Sequence, residues 1–296
     1  MSNMKVAVFG QVLAQADVTH VNDLLEALRE VNASIAIEQE FLKLLQPFLD
    51  SSSFSSFTQE QGLDESFELF VSFGGDGTML RAISYVGKYG IPVVGVNTGR
   101  LGFLSTFKKE EVRKLVTEFV SGFFTIEERS MVEICTDSNI DDFGELNFAL
   151  NEITVSRKDT TSMITVETFL NGEYLTNYWA DGLIIATPTG STGYSLSCGG
   201  PVIAPTAKSF VLTPITPHNL NARPFVIADD TKIRLKVSGR EENHLVSLDS
   251  RIAVIPNEKE IVIQKSPYTV KMIAYKSESF LKTLRNKLLW GEDRRN

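Results

Sequence analysis

Gly74–Thr78 is a glycine-rich turn whose residue types suit the binding of a phosphate group. It follows a continuous apolar segment, Phe67–Phe73, and precedes a segment with helical spacing that begins at Met79. In an open α/β sheet, ligands bind at the carboxyl ends of strands, and glycine backbones before a helix direct N–H groups at anions. The sequence therefore predicts a phosphate site at this turn. Its candidate contacts are Gly74, Gly75, Thr78 and Arg81.

Asp76 is the unexpected member of this turn, because a carboxylate repels a phosphate unless it has a task of its own. It could take the proton of an attacking hydroxyl, hold Mg²⁺, or do both. A tight strand-to-helix turn in which Asp76 caps the helix would explain the same residues without any chemistry. The turn alone leaves these interpretations open.

A second candidate site is the block Asp181–Pro201, which is rich in glycine, serine and threonine and contains a predicted strand at Leu183–Thr187. Hydroxyl and backbone groups suit a polyoxygenated ligand, and Tyr194 could stack on a ring. Asp181 could accept hydrogen bonds from the paired hydroxyls of a ribose. The alternative is an ordinary Ser/Thr-rich loop, which the length of the block and its lack of charge disfavour.

Three other features give weaker signals. Asn151 and Glu152 could together recognise the edge of a base, an amide or a sugar, although such pairs often only face solvent. Arg100 follows a predicted strand and is expected to be a solvated loop residue. His218 is expected to be structural rather than a metal ligand.

Three common nucleotide-binding or hydrolytic signatures are missing from the sequence. G-x-G-x-x-G fails because Leu80 occupies its last position after Gly75 and Gly77. Neither G-x-x-x-x-G-K-[ST] nor G-x-S-x-G occurs. A standard Rossmann dehydrogenase, a P-loop ATPase and an α/β-hydrolase are therefore disfavoured.

Composition restricts the partners and the compartment. Lys and Arg number 29 against 37 Asp and Glu, a net charge of −8, which argues against nucleic-acid binding. No apolar run approaches the ~20 residues of a membrane span, so we expect no membrane partner. The two cysteines, Cys135 and Cys198, exclude a disulfide framework and are expected to be small buried residues of a cytoplasmic protein. The three separated histidines have no zinc spacing, so no protein-held metal is expected.

The first third of the chain alternates predicted strands and helices, which is typical of a parallel, doubly wound sheet. A Ser-rich stretch at 50–62 is predicted to be a mobile surface loop. The predicted strands are Lys5–Gly10, Ser34–Ile37, Phe67–Phe73 and Pro92–Asn97, and the predicted helices are Val18–Val31, Glu38–Leu49, Met79–Tyr89 and Lys108–Gly122.

From about residue 125 the pattern changes to short strands, which predicts a mostly antiparallel β domain. Asn171 and Gly172 predict a tight hairpin. A final amphipathic helix is expected at Ser277–Trp290. The predicted strands are Met131–Thr136, Asn151–Arg157, Ile164–Leu170, Glu173–Trp179, Leu183–Thr187, Phe225–Ala228, Lys232–Ser238, Leu245–Leu248, Ile252–Ile255 and Glu260–Gln264.

Taken together, these segments resemble the NAD kinase family. The pairing of Gly74–Thr78 with the block Asp181–Pro201 is far more specific than either motif alone. The resemblance covers roughly residues 67–251. The matching segments, in the family's order and approximate spacing, are Gly74–Thr78, Asn97–Phe103, Asn151–Glu152, Asp181–Pro201 and Leu212–Pro224.

The resemblance implies an α/β N-terminal domain with an open, mostly parallel sheet and a β-rich, mostly antiparallel C-terminal domain, with the C-terminal helix returning to the first. We place the first domain at 1–107, completed by 272–296, and the NAD-binding domain at 108–271. The implied reaction transfers a phosphoryl group from ATP, with Mg²⁺, to the 2′-hydroxyl of the adenosine ribose of NAD⁺. The implied assembly is a homodimer or homotetramer.

The resemblance also implies roles for individual residues. Asp76 matches the family's proposed general base, and Asp181 matches a contact at the ribose and nicotinamide end. The implied NAD-binding residues are Asp76, Gly77, Asn151, Glu152, Asp181, Thr192, Gly193, Tyr194, Ser195, Leu196 and Ser197. Thr189 and Arg251 join the candidate phosphate contacts.

Two positions depart from the commoner family pattern. Trp179 stands where many members have a basic residue, and Arg251 stands where some have glutamine. These departures could shift a charge from one side of the pocket to the other, or mark a subfamily.

Two other functions remain as alternatives. A lipid or sphingoid kinase shares the Gly-Gly-Asp-Gly turn, although no basic or apolar amphipathic surface segment is evident. A dinucleotide sensor without turnover would keep the pocket, but it has no use for a carboxylate among phosphates. We expect the two glycine-rich loops to converge on one nucleotide cleft.

Overall fold

The computed structural model describes residues 4–135, 142–159, 162–219, 221–276 and 279–289. The chain divides into two compact units, Met1–Glu128 with Val270–Asn296, and Arg129–Thr269. The division near residue 128 lies later than the boundary expected at 107, because helix Val112–Val120 packs into the core of the first unit.

The first unit contains the open parallel sheet that the sequence predicts. Its strands are β1 (Lys5–Gly10), β2 (Ser34–Glu38), β3 (Ser55–Phe57), β4 (Phe67–Phe73), β5 (Val93–Asn97) and β6 (Phe107–Lys108). Its helices are α1 (Val18–Glu30), α2 (Gln39–Leu45), α3 (Asp76–Val86), α4 (Val112–Val120) and the C-terminal helix Phe280–Leu288. The strand order is β3-β2-β1-β4-β5, and each neighbouring pair is parallel.

The C-terminal helix belongs to the first unit, which confirms the expected return of the chain end. Met272 also pairs in parallel with Val93 of β5. Ser277 and Trp290, the ends that the sequence assigned to this helix, lie outside the described residues.

Apolar spacing explains how these elements pack. Val21, Leu24 and Leu28 of α1 are fully buried on one face of the helix, as i, i+3 and i+4 spacing requires. Leu69–Val71 of β4 is fully buried as well, as expected for a strand covered by helices on both faces.

The Ser-rich stretch differs from the prediction of a mobile loop, because it contains β3, which pairs in parallel with β2. Phe57 is the reason: it is 4% exposed and its ring meets those of Phe70 and Tyr85 edge-on. One buried aromatic residue thus anchors a segment whose composition is otherwise that of a loop.

The second unit consists mainly of antiparallel strands, as predicted. Its strands are β7 (Thr125–Ile134), which begins in the first unit, β8 (Phe148–Ala149), β9 (Glu152–Arg157), β10 (Ile164–Leu170), β11 (Glu173–Ala180), β12 (Gly182–Ala186), β13 (Ser209–Ile215), β14 (Phe225–Ala228), β15 (Ile233–Ser238), β16 (Asn243–Leu248), β17 (Arg251–Pro256) and β18 (Ile261–Ala274), which ends in the first unit. Helix α5 spans Tyr194–Ser197. Thr136, expected at the end of β7, lies outside the described residues.

One antiparallel sheet has the order β14-β13-β12-β9-β16-β17. It contains Glu152 and Arg251, and the other candidate site residues of this unit lie in segments next to its strands. The predicted hairpin between β10 and β11 is confirmed, with φ of 51° at Asn171 and 87° at Gly172. Positive φ at both central residues is the requirement of a two-residue hairpin turn.

Strand β13 was not predicted, because Pro214 and Thr213 resemble a loop. Pro214 pairs with Leu183 of β12 and lies beyond Leu212, the last residue that pairs with β14. A proline is tolerated there because its missing N–H faces no strand on that side. Among the described residues, no helix is long and apolar enough to cross a membrane.

Candidate active site

The glycine-rich turn lies at the carboxyl end of β4, as predicted, and α3 begins at Asp76 with Gly75 as its N-cap. Gly74 has a φ of 154°, and a Cβ there would lie 2.4 Å from Oγ1 of Thr78. Only glycine fits this position. A Cβ at Gly75 or Gly77 would meet nothing within 4 Å, so their backbones are open to a ligand.

Three backbone N–H groups of one loop hold the carboxylate of Asp76. Oδ1 accepts hydrogen bonds from the N–H of Leu104 at 3.0 Å and of Ser105 at 2.9 Å. Oδ2 accepts one from the N–H of Phe103 at 2.8 Å. The interpretation of Asp76 as a cap of its own helix is wrong, since its oxygens serve this loop instead. One acceptor position of Oδ2 remains for a further partner.

The loop before Phe103 is shaped by Asn97. Its Oδ1 accepts from the N–H of Gly99 at 2.8 Å, and its Nδ2 donates to the carbonyl oxygen of Arg100 at 3.0 Å. Gly102 then lies so close to Asp76 that an added Cβ would be 1.8 Å from Oδ1. The side chains of Arg81 and Arg100 are exposed.

In the second unit, Asn151 and Glu152 lie at the start of β9, beside the turn between β16 and β17. Asp249 occupies that turn with a φ of 52°. Its carboxylate accepts hydrogen bonds from the N–H groups of Leu150 at 2.9 Å, Asn151 at 2.8 Å and Glu152 at 3.2 Å. Asp249 therefore fixes the backbone of the Asn-Glu pair.

The side chains of that pair have unused acceptors. Among the described residues, Oδ1 of Asn151 and Oε2 of Glu152 are buried without a hydrogen-bond partner. Burial raises the pKa of Glu152 to about 8, and the charge of Asp249 acts in the same direction. Burial also raises the pKa of Asp249, but its three amide bonds oppose this. Burial therefore raises the pKa of both carboxyl groups, and the three amide donors oppose the rise only at Asp249.

The loop after β12 docks onto the Asn-Glu pair. The N–H of Thr187 donates to the carbonyl oxygen of Asn151 at 2.8 Å, and the Thr187 hydroxyl donates to the carbonyl oxygen of Leu150 at 2.6 Å. A Cβ at Gly190 would lie 2.1 Å from the Asn151 carbonyl oxygen, and one at Gly193 would lie 3.2 Å from Oε2 of Glu152. The structure thus brings together two motifs that lie about 40 residues apart in the sequence.

Tyr194 lies at the start of α5 and is 46% exposed, so its ring is accessible to a ligand. Partial burial raises the pKa of Tyr194, and the charges of Asp181 and Glu152 contribute to the rise. The same site also contains Cys198, whose backbone N–H donates to the carbonyl oxygen of Tyr194 at 3.2 Å. Cys198 is only partly buried, unlike the buried Cys135 and contrary to the expectation for both.

Other predicted residues of this loop have mixed orientations. Ser195 is buried, and its Oγ lies 2.8 Å from Oγ1 of Thr213. The Thr192 hydroxyl donates to the carbonyl oxygen of Thr189 at 3.2 Å. Leu196 is half-buried and Ser197 is exposed. Thr192 and Ser195 therefore stabilise the loop through their side chains.

Asp181 lies between β11 and β12 and forms an ion pair with Arg157 at the end of β9. Nη1 of Arg157 lies 3.1 Å from Oδ1 of Asp181. The N–H of Arg157 also donates to the carbonyl oxygen of Asp181 at 2.9 Å. The side chain of Arg157 is thus committed to the only carboxylate of the Asp181 block.

Arg251 donates hydrogen bonds through Nη1 and Nη2 to the carbonyl oxygens of Leu146 and Phe148. Burial lowers the pKa of Arg251, and Asp249 opposes this. These N–H groups are therefore occupied within the second unit and support the segment that precedes Asn151. Trp179, the other departure from the family pattern, is 51% exposed.

Sequence reasoning missed Asp249, Arg157 and the Phe103–Ser105 amides. Asp249 had a weak signal, since an acidic residue between two alternating segments indicates a turn. Arg157 had none, because its proximity to Asp181 depends on the register that pairs Gly182 with Ser156.

Among the described residues, no group of three His, Cys, Asp or Glu could hold a metal ion. Mg²⁺ commonly keeps several waters and binds one or two carboxylates plus substrate phosphates. The open acceptor of Asp76 fits one such bond.

Two family models match the chain, the ATP-NAD kinase N-terminal domain over residues 16–124 and the ATP-NAD kinase C-terminal domain over residues 150–275. The chain belongs to the NAD kinase family. Within this family, the chain is 54% identical to the NAD kinase of Flavobacterium psychrophilum, over 99% of this chain and 100% of that one. It is 40% identical to the NAD kinase of Bacteroides fragilis over the same shares.

Solved structures agree with the NAD kinase fold. Yeast NADH kinase complexed with NADH superposes with a TM-score of 0.84 at 26% identity, covering 99% of this chain and 90% of that one. An NAD kinase from Archaeoglobus fulgidus in complex with ATP gives 0.75 at 28% identity, covering 97% and 99%. The chain therefore has the two-domain architecture of this family that the resemblance implied.

Proposed function

We propose that the protein transfers the γ-phosphoryl group of ATP to the 2′-hydroxyl of the adenosine ribose of NAD⁺, giving NADP⁺. Full-length relatives named NAD kinase support the reaction class. Structural neighbours complexed with NADH and with ATP support a dinucleotide acceptor and a nucleotide donor.

The observation that carries the acceptor assignment is the buried pair Asn151 and Glu152. Their unpartnered oxygens, with the exposed ring of Tyr194 nearby, match the donors and flat face of an adenosine. Buried polar atoms without partners carry a free-energy cost of about 1–3 kcal/mol each. A ligand that supplies N–H or O–H groups removes that cost, which a diacylglycerol acyl chain cannot do.

Asp76 is the proposed general base. The amides of the 103–105 loop fix its carboxylate, and the open acceptor of Oδ2 takes the proton of the 2′-hydroxyl. As the hydroxyl oxygen forms its bond to the γ-phosphorus, the bond from that phosphorus to the β–γ bridging oxygen breaks, and ADP leaves. Positioning and charge stabilisation provide most of the catalysis in phosphoryl transfer.

The proposed phosphate contacts are the open backbones of Gly75 and Gly77. Mg²⁺ would be held by the phosphates of ATP and by water, because the one open acceptor of Asp76 is assigned to the hydroxyl proton, and it would neutralise the charge that develops on the phosphate oxygens. Arg251 is reassigned in this proposal as a support for the Leu146–Phe148 segment, because its guanidinium is occupied there.

A homo-oligomer is also proposed. Edge strand β17 exposes Ile252 by 67% and Val254 by 47%. Exposed apolar side chains on an unpaired edge favour association with a second copy. Size-exclusion chromatography with light scattering tests this, and a monomer at micromolar concentration would contradict it.

The deciding experiment measures NADP⁺ formation from ATP, Mg²⁺ and NAD⁺, with NADH, diacylglycerol and sphingosine as alternative acceptors. We expect turnover with a pyridine dinucleotide and none with either lipid. Phosphorylation of a lipid would favour the lipid-kinase alternative. Tight NAD⁺ binding without NADP⁺ formation over hours would indicate a sensor.

A further inference from the structure

We infer that Arg157 is a positioning residue for dinucleotide binding, which holds the carboxylate of Asp181 in one orientation. This inference rests on the proposed function and extends it to a residue that the sequence did not single out. Arg157 ends β9 and Asp181 directly precedes β12, the strand beside it in the sheet, so the β9–β12 register sets their separation.

The ion pair leaves half of the Asp181 carboxylate available. Arg157 Nη1 is 3.1 Å from Oδ1, while the side chain of Asp181 remains 24% exposed. A carboxylate has acceptor positions on both oxygens. The geometry therefore leaves Oδ2 of Asp181 to accept from a ligand hydroxyl or amide while Arg157 holds Oδ1.

Electrostatics gives a second reason for a cation at this point. The Asp181 block brings one carboxylate, that of Asp181, and the ligand brings a pyrophosphate that is also negatively charged. Arg251 donates to two backbone carbonyl oxygens instead. Arg157 is the cation paired with Asp181, and its guanidinium lowers the repulsion between that carboxylate and the incoming dinucleotide.

The test compares Arg157→Gln with a matched control in the same unit. Arg234 is also 31% exposed and forms an ion pair with Glu260 at 3.2 Å, but none of the predicted binding residues contacts it in this structure. Isothermal titration calorimetry of the full chain with NAD⁺ gives Kd. We expect Arg157→Gln to raise Kd about fivefold, the upper range for a partly exposed ion pair, and Arg234→Gln to raise it less than twofold.

A double-mutant cycle separates positioning from general destabilisation. Asp181→Asn alone is expected to raise Kd about fivefold. The Kd of the combined variant Arg157→Gln/Asp181→Asn is expected to lie within twofold of the Kd of either single variant, because both substitutions remove the same interaction. Arg157→Lys keeps the positive charge, so its Kd is expected to rise by no more than half the factor seen in Arg157→Gln. KM for ATP should not change in any of these variants.

Independent effects of the two substitutions, or equal losses in Arg157→Gln and Arg234→Gln, would overturn the inference. If Arg157→Gln does not fold, Arg157→Lys is made in the wild type and in Asp181→Asn. The inference is overturned if Arg157→Lys raises Kd by the same factor in both backgrounds. Because the readout is NAD⁺ affinity, absence of NADP⁺ formation by the wild type would refute the proposed function without deciding this point.

Discussion

Asp76 in the first unit and Asp249 in the second use the same device in different surroundings. Each carboxylate accepts hydrogen bonds from the backbone N–H groups of three consecutive residues and thereby fixes a loop. Asp76 lies beside open glycine backbones. Asp249 lies beside a second buried carboxyl group, that of Glu152.

The difference shows that hydrogen-bond geometry alone does not assign a role. Next to open backbone amides, a fixed carboxylate with one free acceptor position is suited to proton transfer. Next to another buried acid, the same three hydrogen bonds fix the backbone of Leu150, Asn151 and Glu152, and burial raises the pKa of both carboxyl groups. Asp76 is therefore proposed to react, whereas Asp249 organises the binding pair.

The largest expected effect is that of Asp76→Asn on turnover. Loss of a general base lowers kcat by about 10²–10⁴-fold, while NAD⁺ affinity should change less than threefold. Steady-state kinetics with calorimetric binding measures both. Asp64→Asn, which changes an exposed carboxylate in the same unit, is the control, and a near-normal kcat in Asp76→Asn would refute the base assignment.

Gly102→Ala tests whether the orientation of Asp76 matters. The added methyl group would lie 1.8 Å from Oδ1, so the carboxylate must shift, and overpacking of this kind costs about 1–3 kcal/mol. We expect kcat to fall by about 10-fold or more, since a small misplacement of a reacting group is costly. Gly99→Ala, where a Cβ meets nothing within 4 Å, should remain close to wild type.

Asp249→Asn tests the three hydrogen bonds that the Asp249 carboxylate accepts in the second unit. An amide in place of the carboxylate turns an N–H group toward at least one backbone donor, so we expect a loss of about 1–3 kcal/mol in the free energy of unfolding. NAD⁺ affinity should fall in the same variant. Urea unfolding and calorimetry measure these effects, and Asp230→Asn, at an exposed position, is the control. An unchanged urea midpoint in Asp249→Asn would show that these hydrogen bonds do not stabilise the protein.

A further expected effect is a dependence of stability on pH that Glu152 causes. The pKa of Glu152 is raised to about 8 from an ordinary value of 4.5, so the native state binds its proton more tightly than the unfolded state does. The associated stability is fully present below pH 4.5 and is lost as the pH rises through about 8, by at most about 1.4 kcal/mol per pH unit.

Glu152→Gln should remove that part of the pH dependence. Urea unfolding between pH 5 and pH 9 gives the free energy of unfolding of wild type and variant as a function of pH. If the two slopes are equal in this range, Glu152 is not the group with the raised pKa. Glu167→Gln changes a half-buried glutamate of the same unit and provides the comparison.

Local patterns were sufficient for most of the fold. The continuous apolar run at Phe67–Phe73 predicted a strand covered on both faces, and Asn171-Gly172 predicted the hairpin, because each depends on neighbouring residues only. The errors arose where a distant partner decides the structure. Phe57 turns a Ser-rich loop into β3 through two aromatic rings, and Pro214 is accepted in β13 because β14 has ended.

The amino-acid sequence by itself determined the family, the turn at Asp76 and the loop around Tyr194, since glycines and hydroxyl groups at fixed spacing are read directly from the chain. Tertiary structure alone decided what those residues contact. Asp249 reaches Asn151 from 98 positions away, and Arg157 meets Asp181 only through strand register. Hydrogen bonds of this kind act over about 3 Å, and separation along the chain does not determine distance in space.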